Sequence, residues 1–427
     1  MQYTVQVKFS IFTPVHKPEK LKRAFESIRK QTHVDFEWVI LLNNGAKIDS
    51  EVEQQFDNKV KVYDITDMPG ADDNGYIGNY KRICCSLCTG DVLVELDYDD
   101  ELEPDCLAIL NEHFSCDDVD FVYSSCYEYK NGKCIAPFSS KFGWQYEEQP
   151  DGRVVTKAFE PSPINFSYIW YAPNHVRAWR RTFYEKIGGH NPKLDVCDDH
   201  DLCCRTYIEG NVVMEPRPLY SYYTADGENT CYGDKNAKIQ QITRQMHDCY
   251  TEQLVLKWCK LNELPAYDLC CSKFKKDGFI GVDISPYKGV DVVADLNKAP
   301  WPFEDNSVGV FRMQDALEHL SDPIQTMKEL WRCLSPKGWV LIDVPSTDGR
   351  GAFQDPTHVS FWNSNSFWYY TKHAQAQYID TPVKFQLNRI LDYYPSDFHK
   401  LHKIAYTKAH LVKLHNDIWI PPGGREI

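Results

Sequence analysis

The stretch DVLVELDYDDELEPD, residues 91–105, decides how the first half of the chain folds. Val92, Leu93 and Val94 form an apolar run that leads within three residues into Asp97, Asp99 and Asp100. A short continuous apolar run bounded by turn signals reads as a strand buried on both faces. Carboxylates crowded where such a strand opens into a loop repel one another and call for a positive partner. Hard divalent cations such as Mg²⁺ take oxygen ligands and often keep waters and substrate phosphates. Beside a diphosphate, such an ion offsets charge on the departing phosphate as a Lewis acid. A solvated acidic turn is the plainer reading, because charge runs are usually surface. Asp97 and Asp99 are the chemical candidates, Asp100 supports the turn, and Glu101, Glu103 and Asp105 read as surface.

Outward from this stretch, residues 5–130 alternate strand and helix patterns. KFSIFTPV, FEWVILLNNG, KVKVYDI, DVLVELD and VDFVYSSCYEY read as strands; LKRAFESIRKQ, GNYKRICCSLC and CLAILNEHF read as helices. That alternation predicts a parallel sheet covered by helices, which binds ligands at the carboxyl ends of its strands. Residues 131–195, rich in aromatics, Pro and Gly, are expected to form a substrate-facing surface. The helical NAKIQQITRQMHDCYTEQLVLKWCKLNEL closes a first domain at about residue 262. A second α/β series follows in GFIGVDI, VDVVADL, VGVFRMQDAL, TMKELWRCL and GWVLIDVP, giving domains 1–262 and 263–427. After residue 375 come strand-like pieces and a loop-like PPGGREI, to which the sequence assigns no role.

A chain of 427 residues fits two domains better than one. At 43% hydrophobic, 25% charged and 14% aromatic, it is not disordered and not a repeat array. The net charge of −14 argues against a whole-molecule field for nucleic acid or anionic membrane, though not against a local basic path. No signal peptide or membrane span is read, and the 16 cysteines are expected reduced, in a cytoplasmic protein. Cys85 and Cys88 have zinc-like spacing without a second pair nearby, so core packing is the better reading.

Three elements give the first domain a family resemblance: SIFTPVHKPEKLKRAFESIRKQTHVDFEWVILLNNGA, GNYKRICCSLCTGDVLVELDYDDELEPD and RRTFYEKIGGHNPKLDVCDDHDLCCR. In this order and spacing they resemble family 2 glycosyltransferases of the GT-A fold, over about residues 5–260. The resemblance implies an α/β nucleotide-sugar-binding domain with a mixed, mainly parallel sheet. It implies that Thr13, Pro14 and Val15 line the base pocket, with Asn43 and Asn44 where the family more often has aspartates. Lys81 either reaches the nucleotide or is a surface lysine of an amphipathic helix. Asp97 would lie by the ribose and metal-bound water, and Asp99 would ligate Mn²⁺ or Mg²⁺. CDDHDLCCR, residues 197–205, aligns with the family's EDxDLxxR, so Asp198 stands where Glu is usual and Asp199 takes the base position of an inverting mechanism. Helix N-terminal acids favoured by the macrodipole are the plainer account of Asp198. Asp226 stands roughly where the family's third metal ligand, commonly His, occurs. Trp170, His175 and Arg177 are candidates to face the acceptor.

Residues 265–371 resemble class I methyltransferases that bind S-adenosylmethionine, in a smaller Rossmann-like domain. By that resemblance Asp283 would take the cofactor ribose, Asp295 and Leu296 would flank the adenine, and Asp315 to His319 match the "xxLEH" element. The glycine turn, however, reads Asp268-Leu269-Cys270-Cys271-Ser272. Side chains there crowd a cofactor where glycines let the backbone approach it. A degenerate domain without S-adenosylmethionine is therefore expected, with Asp355, His358 and Trp362 lining what pocket is left and His358 structural.

The two-domain arrangement looks like glycosyltransferases of tailed phages and large viruses. The function it implies is metal-dependent, inverting transfer from a nucleotide-sugar, UDP-sugar first, to a hydroxyl on a glycan or on a hydroxymethylated base of viral DNA. The rivals are a bifunctional glycosyltransferase and sugar O-methyltransferase, and a non-catalytic sugar- or nucleic-acid-binding module.

Overall fold

The computed structural model describes residues 7–48, 59–68, 71–224, 235–415, 419–420 and 425–427. Asp226 lies outside the described residues. The chain divides into two compact units, Met1–Ser140 with Trp144–Leu254 and Ile427, and Val255–Glu426 with Lys141–Gly143.

The first unit opens with β1 (Phe9–Val15), all seven residues buried, then α1 (Lys22–Arg29), β2 (Phe36–Leu42) and β3 (Val60–Asp64). Next come α2 (Ile77–Ser86), β4 (Val92–Glu95), β5 (Glu101–Leu102) and α3 (Cys106–Phe114). β6 (Phe121–Lys130) is followed by short β7 (Lys133–Cys134), β8 (Tyr146–Glu148) and β9 (Val154–Thr156), then β10 (Arg177–Arg180). α4 (Asp198–Glu209), β11 (Val212–Thr224) and α5 (Asn236–Leu261) complete the series. The division between units falls inside α5.

The backbone of the sheet runs β3-β2-β1-β4-β10-β6-β11-β5. It is parallel from β3 through β4. β10 lies antiparallel between β4 and β6, while β6 and β11 pair in parallel. The apolar runs of β1, β2 and β4 are the strands enclosed on both faces, which is why they lack strict alternation. Because β1, β2 and β4 share one direction, their carboxyl ends open on one edge.

In the second unit, β12 (Ala266–Leu269), β13 (Ile280–Asp283), β14 (Val292–Val293) and β15 (Val308–Gln314) precede α6 (Pro323–Cys333) and β16 (Leu334–Pro345). β17 (Phe385–Tyr393) and β18 (Tyr406–Lys413) follow. The order is β14-β13-β12-β15-β16-β18-β17, with β18 antiparallel to both β16 and β17. The tail beyond residue 375 thus completes this sheet: Phe385, Ala409 and Leu411 enter its core. The expected architecture, a mixed α/β sheet followed by a second α/β unit, is the one observed.

All fifteen described cysteines are free, and most are buried. Cys85 and Cys88 pack in a hydrophobic cluster with Phe12 and Trp179. Among the described residues no helix is long and apolar enough to cross a membrane.

Candidate active site

A cavity of about 470 Å³ opens at the carboxyl ends of β1, β2 and β4. Pro14 and His16 border it after β1, Asn43 and Asn44 after β2, and Asp97, Tyr98 and Asp99 after β4. Tyr80 and Lys81 come from α2, Asp195 to Asp199 from the entry to α4, and Tyr222 and Tyr223 from β11. Thr13 and Val15 sit beside this wall but face inward. The Thr13 hydroxyl accepts the indole N–H of Trp38 at 2.9 Å, and Val15 is fully buried. Pro14, Asn43 and Asn44 carry the surface that those two were expected to share.

Beneath the cavity lies a buried ionic network whose centre is Glu95, the last residue of β4. Its Oε1 is 2.5 Å from Lys81 Nζ and its Oε2 3.4 Å from Arg177 Nη1. Lys81 also stands 3.4 Å from Asp198, and Arg177 donates to Asp199 at 2.9 Å. Lys81 is therefore not a surface lysine: it is buried, with two carboxylates as partners. Burial would lower its pKa, but Asp198 and Glu95 outweigh that and hold it well above the ordinary lysine value. Glu95 is the converse: burial disfavours its charge, yet Lys81 and Arg177 hold it well below the carboxylate range.

The two aspartates opening α4 part ways. Burial pushes Asp198 up to about 6 against the pull of Lys81, helped by the negative charges of Asp199 and Glu95. Burial acts on Asp199 too, but Arg177 first and then Lys81 hold it well below the ordinary range. Cys197, just before them, has φ 59°, the left-handed region that a non-glycine residue enters at a cost. Gly78 permits the approach of α2: a Cβ there would meet Asn191 O at 2.2 Å and Asp198 Cβ at 3.1 Å. Arg205 bonds Asp201 and the carbonyls of Ile187 and Gly189, fixing the preceding loop to α4.

The acidic loop divides by burial. Asp100 is buried, accepting from the Tyr220 hydroxyl at 2.9 Å and the Tyr223 N–H at 2.7 Å. Asp99 borders the cavity, where burial and then the charge of Asp97 push its carboxyl up to about 6. Glu103, read from sequence as surface, instead bonds Arg153 at 2.9 Å and Ser221 at 2.8 Å.

Of the residues expected to face an acceptor, Trp170 is 39% exposed, but His175 and Arg177 are buried. Arg177 spends its guanidinium on Glu95, Asp199 and the Pro173 carbonyl. The structure makes it a support for Asp199 rather than an open phosphate clamp. His175 stacks on Tyr220 at 4.8 Å, and neither of its ring nitrogens has a hydrogen-bond partner. Its Nε2 is 3.8 Å from Asp97 and 3.7 Å from Glu95, and the three residues form a group able to hold a metal ion. Sequence reading missed Glu95 and the buried His190, whose Nε2 lies 3.8 Å from Asp198. The available signal for Glu95 was an acid continuing an apolar strand. A neighbouring cavity of about 460 Å³ shares Lys20, Asp99 and Tyr223 with the first and adds Lys22, Arg23 and Tyr129.

In the second unit the turn after β12 carries Cys270 at φ 54° and Ser272 at φ 48°, where glycines would be unstrained. Asp283 accepts the Ser272 N–H at 2.9 Å, and Asp268 pairs with Arg312 at 2.9 Å. Both acids at the head of this sheet are therefore occupied by the chain itself. Asp295 pairs with Lys298 on the surface, Asp355 accepts from Thr357, and Trp362 is core.

Comparison with known proteins agrees with this division. Residues 10–184 match the family model for glycosyl transferase family 2, and residues 269–342 match a methyltransferase domain model. The glycosyl transferase family 2 match thus lies in the first unit and the methyltransferase match in the second. Similar solved structures include S. aureus TarS 1–349 in complex with UDP, at 15% identity and a TM-score of 0.41, covering 60% of this chain and 70% of that one. The same protein with UDP-GlcNAc gives 15% identity and 0.42, covering 59% and 73%. The mannosyltransferase PcManGT from Pyrobaculum calidifontis, in complex with GDP-Man and Mn²⁺, gives 14% and 0.36, covering 61% and 65%. No curated protein matches the sequence.

Proposed function

We propose that this chain, with its family 2 glycosyl transferase domain, moves a sugar from a nucleotide-sugar donor to a hydroxyl acceptor with inversion. The observation that carries this is the cavity at the carboxyl ends of β1, β2 and β4, where Asp97, Asp99, Asp198 and Asp199 converge over Lys81. In this reading Pro14, Asn43 and Asn44 meet the nucleoside, with a UDP-sugar the first donor to try.

The donor set suits a divalent ion. Asp97 and Asp99 crowd one wall, and the His175 imidazole, whose nitrogens make no hydrogen bond, stands 3.8 Å from Asp97 and 3.7 Å from Glu95. The two carboxylates suit Mg²⁺ or Mn²⁺, and an added imidazole ligand would favour Mn²⁺, the softer of the two. When bound, the ion would offset charge developing on the leaving diphosphate. Asp199 would accept the acceptor's hydroxyl proton, oriented by Arg177 through the 2.9 Å bond. Asp198 and Glu95 would serve through Lys81, keeping a positive charge under the cavity floor. The adjoining cavity, with Lys20, Lys22 and Arg23 beside Tyr129 and Tyr223, supports an acceptor that approaches past Asp99.

The test is a donor-hydrolysis screen of nucleotide sugars with Mn²⁺ or Mg²⁺. The best donor is then offered with a surface glycan and with hydroxymethylated DNA as acceptors, the latter suiting a virus-encoded enzyme. Turnover of one donor, accelerated by one acceptor, is expected. Absence of even slow hydrolysis with every donor would favour a binding module instead.

A further inference from the structure

The second unit holds a cluster that transfer chemistry in the first does not use. Leu317–His319 forms a turn of 3₁₀ helix just after β15, and His358 lies in the loop after β16. Both follow carboxyl ends of parallel strands in that sheet. The two loops are tied by the backbone. The Val359 and Ser360 N–H groups donate to the Glu318 carbonyl at 2.9 and 3.0 Å, and the Ser360 hydroxyl donates to the Leu317 carbonyl at 2.9 Å.

Glu318 is 2% exposed, and neither carboxylate oxygen has a hydrogen-bond partner. A buried carboxylate without partners is costly, and a native fold retains one only with a reason. Burial pushes this carboxyl up to about 8. His358 stands beside it, with Nε2 3.9 Å from Glu318 Oε1. Each histidine is held through its other nitrogen: His358 Nδ1 to the Ala352 carbonyl at 3.0 Å, His319 Nδ1 to the Thr357 carbonyl at 3.2 Å. A carbonyl accepts only, so each of these bonds is made by the Nδ1–H tautomer, whose Nε2 is free to ligate; the Thr357 hydroxyl, 3.3 Å from the same His319 Nδ1, gives its own proton to Asp355 at 2.6 Å. That arrangement of a backbone acceptor behind each imidazole is how proteins orient histidine ligands for metals.

We propose that Glu318, His319 and His358 form a mononuclear site for a divalent transition metal of the zinc type. One ligand atom from each lies within 4.8 Å of the others. Ligands at about 2.0–2.1 Å from one tetrahedral ion stand about 3.3 Å apart, so side-chain rotation of an ångström or so closes the set. Two imidazoles and one carboxylate fill three positions and leave one for water or a ligand. The site is separate from Asp97 and Asp99 in chemistry as well as sequence, being richer in nitrogen than the set suited to Mg²⁺.

The full chain, stripped of metal by chelator and dialysed, is titrated with Co²⁺, whose visible absorption reports ligand type, and with Zn²⁺ by calorimetry. One tight equivalent with a histidine-type Co²⁺ spectrum is expected. Glu318→Gln and His358→Asn should each weaken it at least about tenfold with unchanged circular dichroism. His319→Asn, at the most accessible ligand, should do the same should either of the others misfold. The equivalent should persist in Asp97→Asn/Asp99→Asn, which separates it from any ion of the transferase cavity. Equal uptake by wild type and the cluster variants, loss with the Asp97/Asp99 pair, or no uptake by wild type would each overturn the site.

Discussion

Arg177 holds Asp199 through a 2.9 Å bond from Nη1 to Oδ2, from a guanidinium that is itself buried. The bond keeps Asp199 ionised and aims its other oxygen, Oδ1, which also accepts the His200 N–H at 2.8 Å. An asparagine at 199 can still accept from Arg177, so Asp199→Asn should fold normally. As the proposed base, its loss should lower kcat by about 10²–10⁴ with the donor KM within a few-fold. Steady-state kinetics with donor and acceptor decide it; unchanged kcat removes Asp199 from that role.

Lys81 balances two buried acids, Glu95 and Asp198. Lys81→Met leaves both facing a low-dielectric interior with no shared cation, a change that costs about 3–5 kcal/mol. Urea unfolding should show it as a lower midpoint. The double variant Lys81→Met/Glu95→Gln should recover part of the loss, because the uncompensated charge is reduced. A double variant as unstable as the sum of both singles would show that the pair is not coupled.

Chelation addresses the proposed ion directly. Donor turnover should vanish with excess EDTA and return with added Mn²⁺. In Asp99→Asn the Mn²⁺ concentration giving half-maximal rate should rise by at least about tenfold, as expected for a lost metal contact. A normal Mn²⁺ response in that variant would move the metal site to Glu95, Asp97 and His175, the group whose ligand atoms already lie within 4.8 Å.

The sequence was most readable where burial acts on continuous segments. FSIFTPV, FEWVILL and the start of DVLVELD are apolar because each lies between covering layers, and the structure has them as adjacent parallel strands. The acidic loop was found for the same reason, since acids at the end of a buried strand stand out. The network under it was not readable. Glu95 and Arg177 are 82 positions apart and meet because β10 inserts antiparallel beside β4. Nothing local in RAWRR distinguishes an arginine turned inward to Asp199 from one facing solvent. The same limit left the strand-like pieces after residue 375 without a place, because the pairing of β17 and β18 depends on β16 accepting an antiparallel neighbour.

Glu37 supplies a pH test of the fold alone. Its carboxylate is buried in β2 and accepts from Ser10 Oγ at 2.6 Å, Thr89 N at 2.6 Å, Thr89 Oγ1 at 2.8 Å and Lys61 Nζ at 2.5 Å. It thereby ties β1, β2, β3 and the turn before β4. Burial would raise its pKa, but the bonds from Lys61, Ser10 and Thr89 outweigh it and lower the value from 4.5 to about 2. A group depressed on folding stabilises the native state above its unfolded pKa and loses that stabilisation as pH falls toward the folded value. The contribution is therefore complete at pH 6 and declines from about pH 4.5 downward. Glu37→Gln should cost about 1.5–3 kcal/mol at pH 7, the range for hydrogen bonds to a charged group. Its Tm should also fall less steeply than that of the wild type between pH 5 and about pH 3, because the titrating carboxylate is gone. Thermal melts of both proteins across that window check the sign, and parallel Tm curves would show that Glu37 is not held ionised by this network.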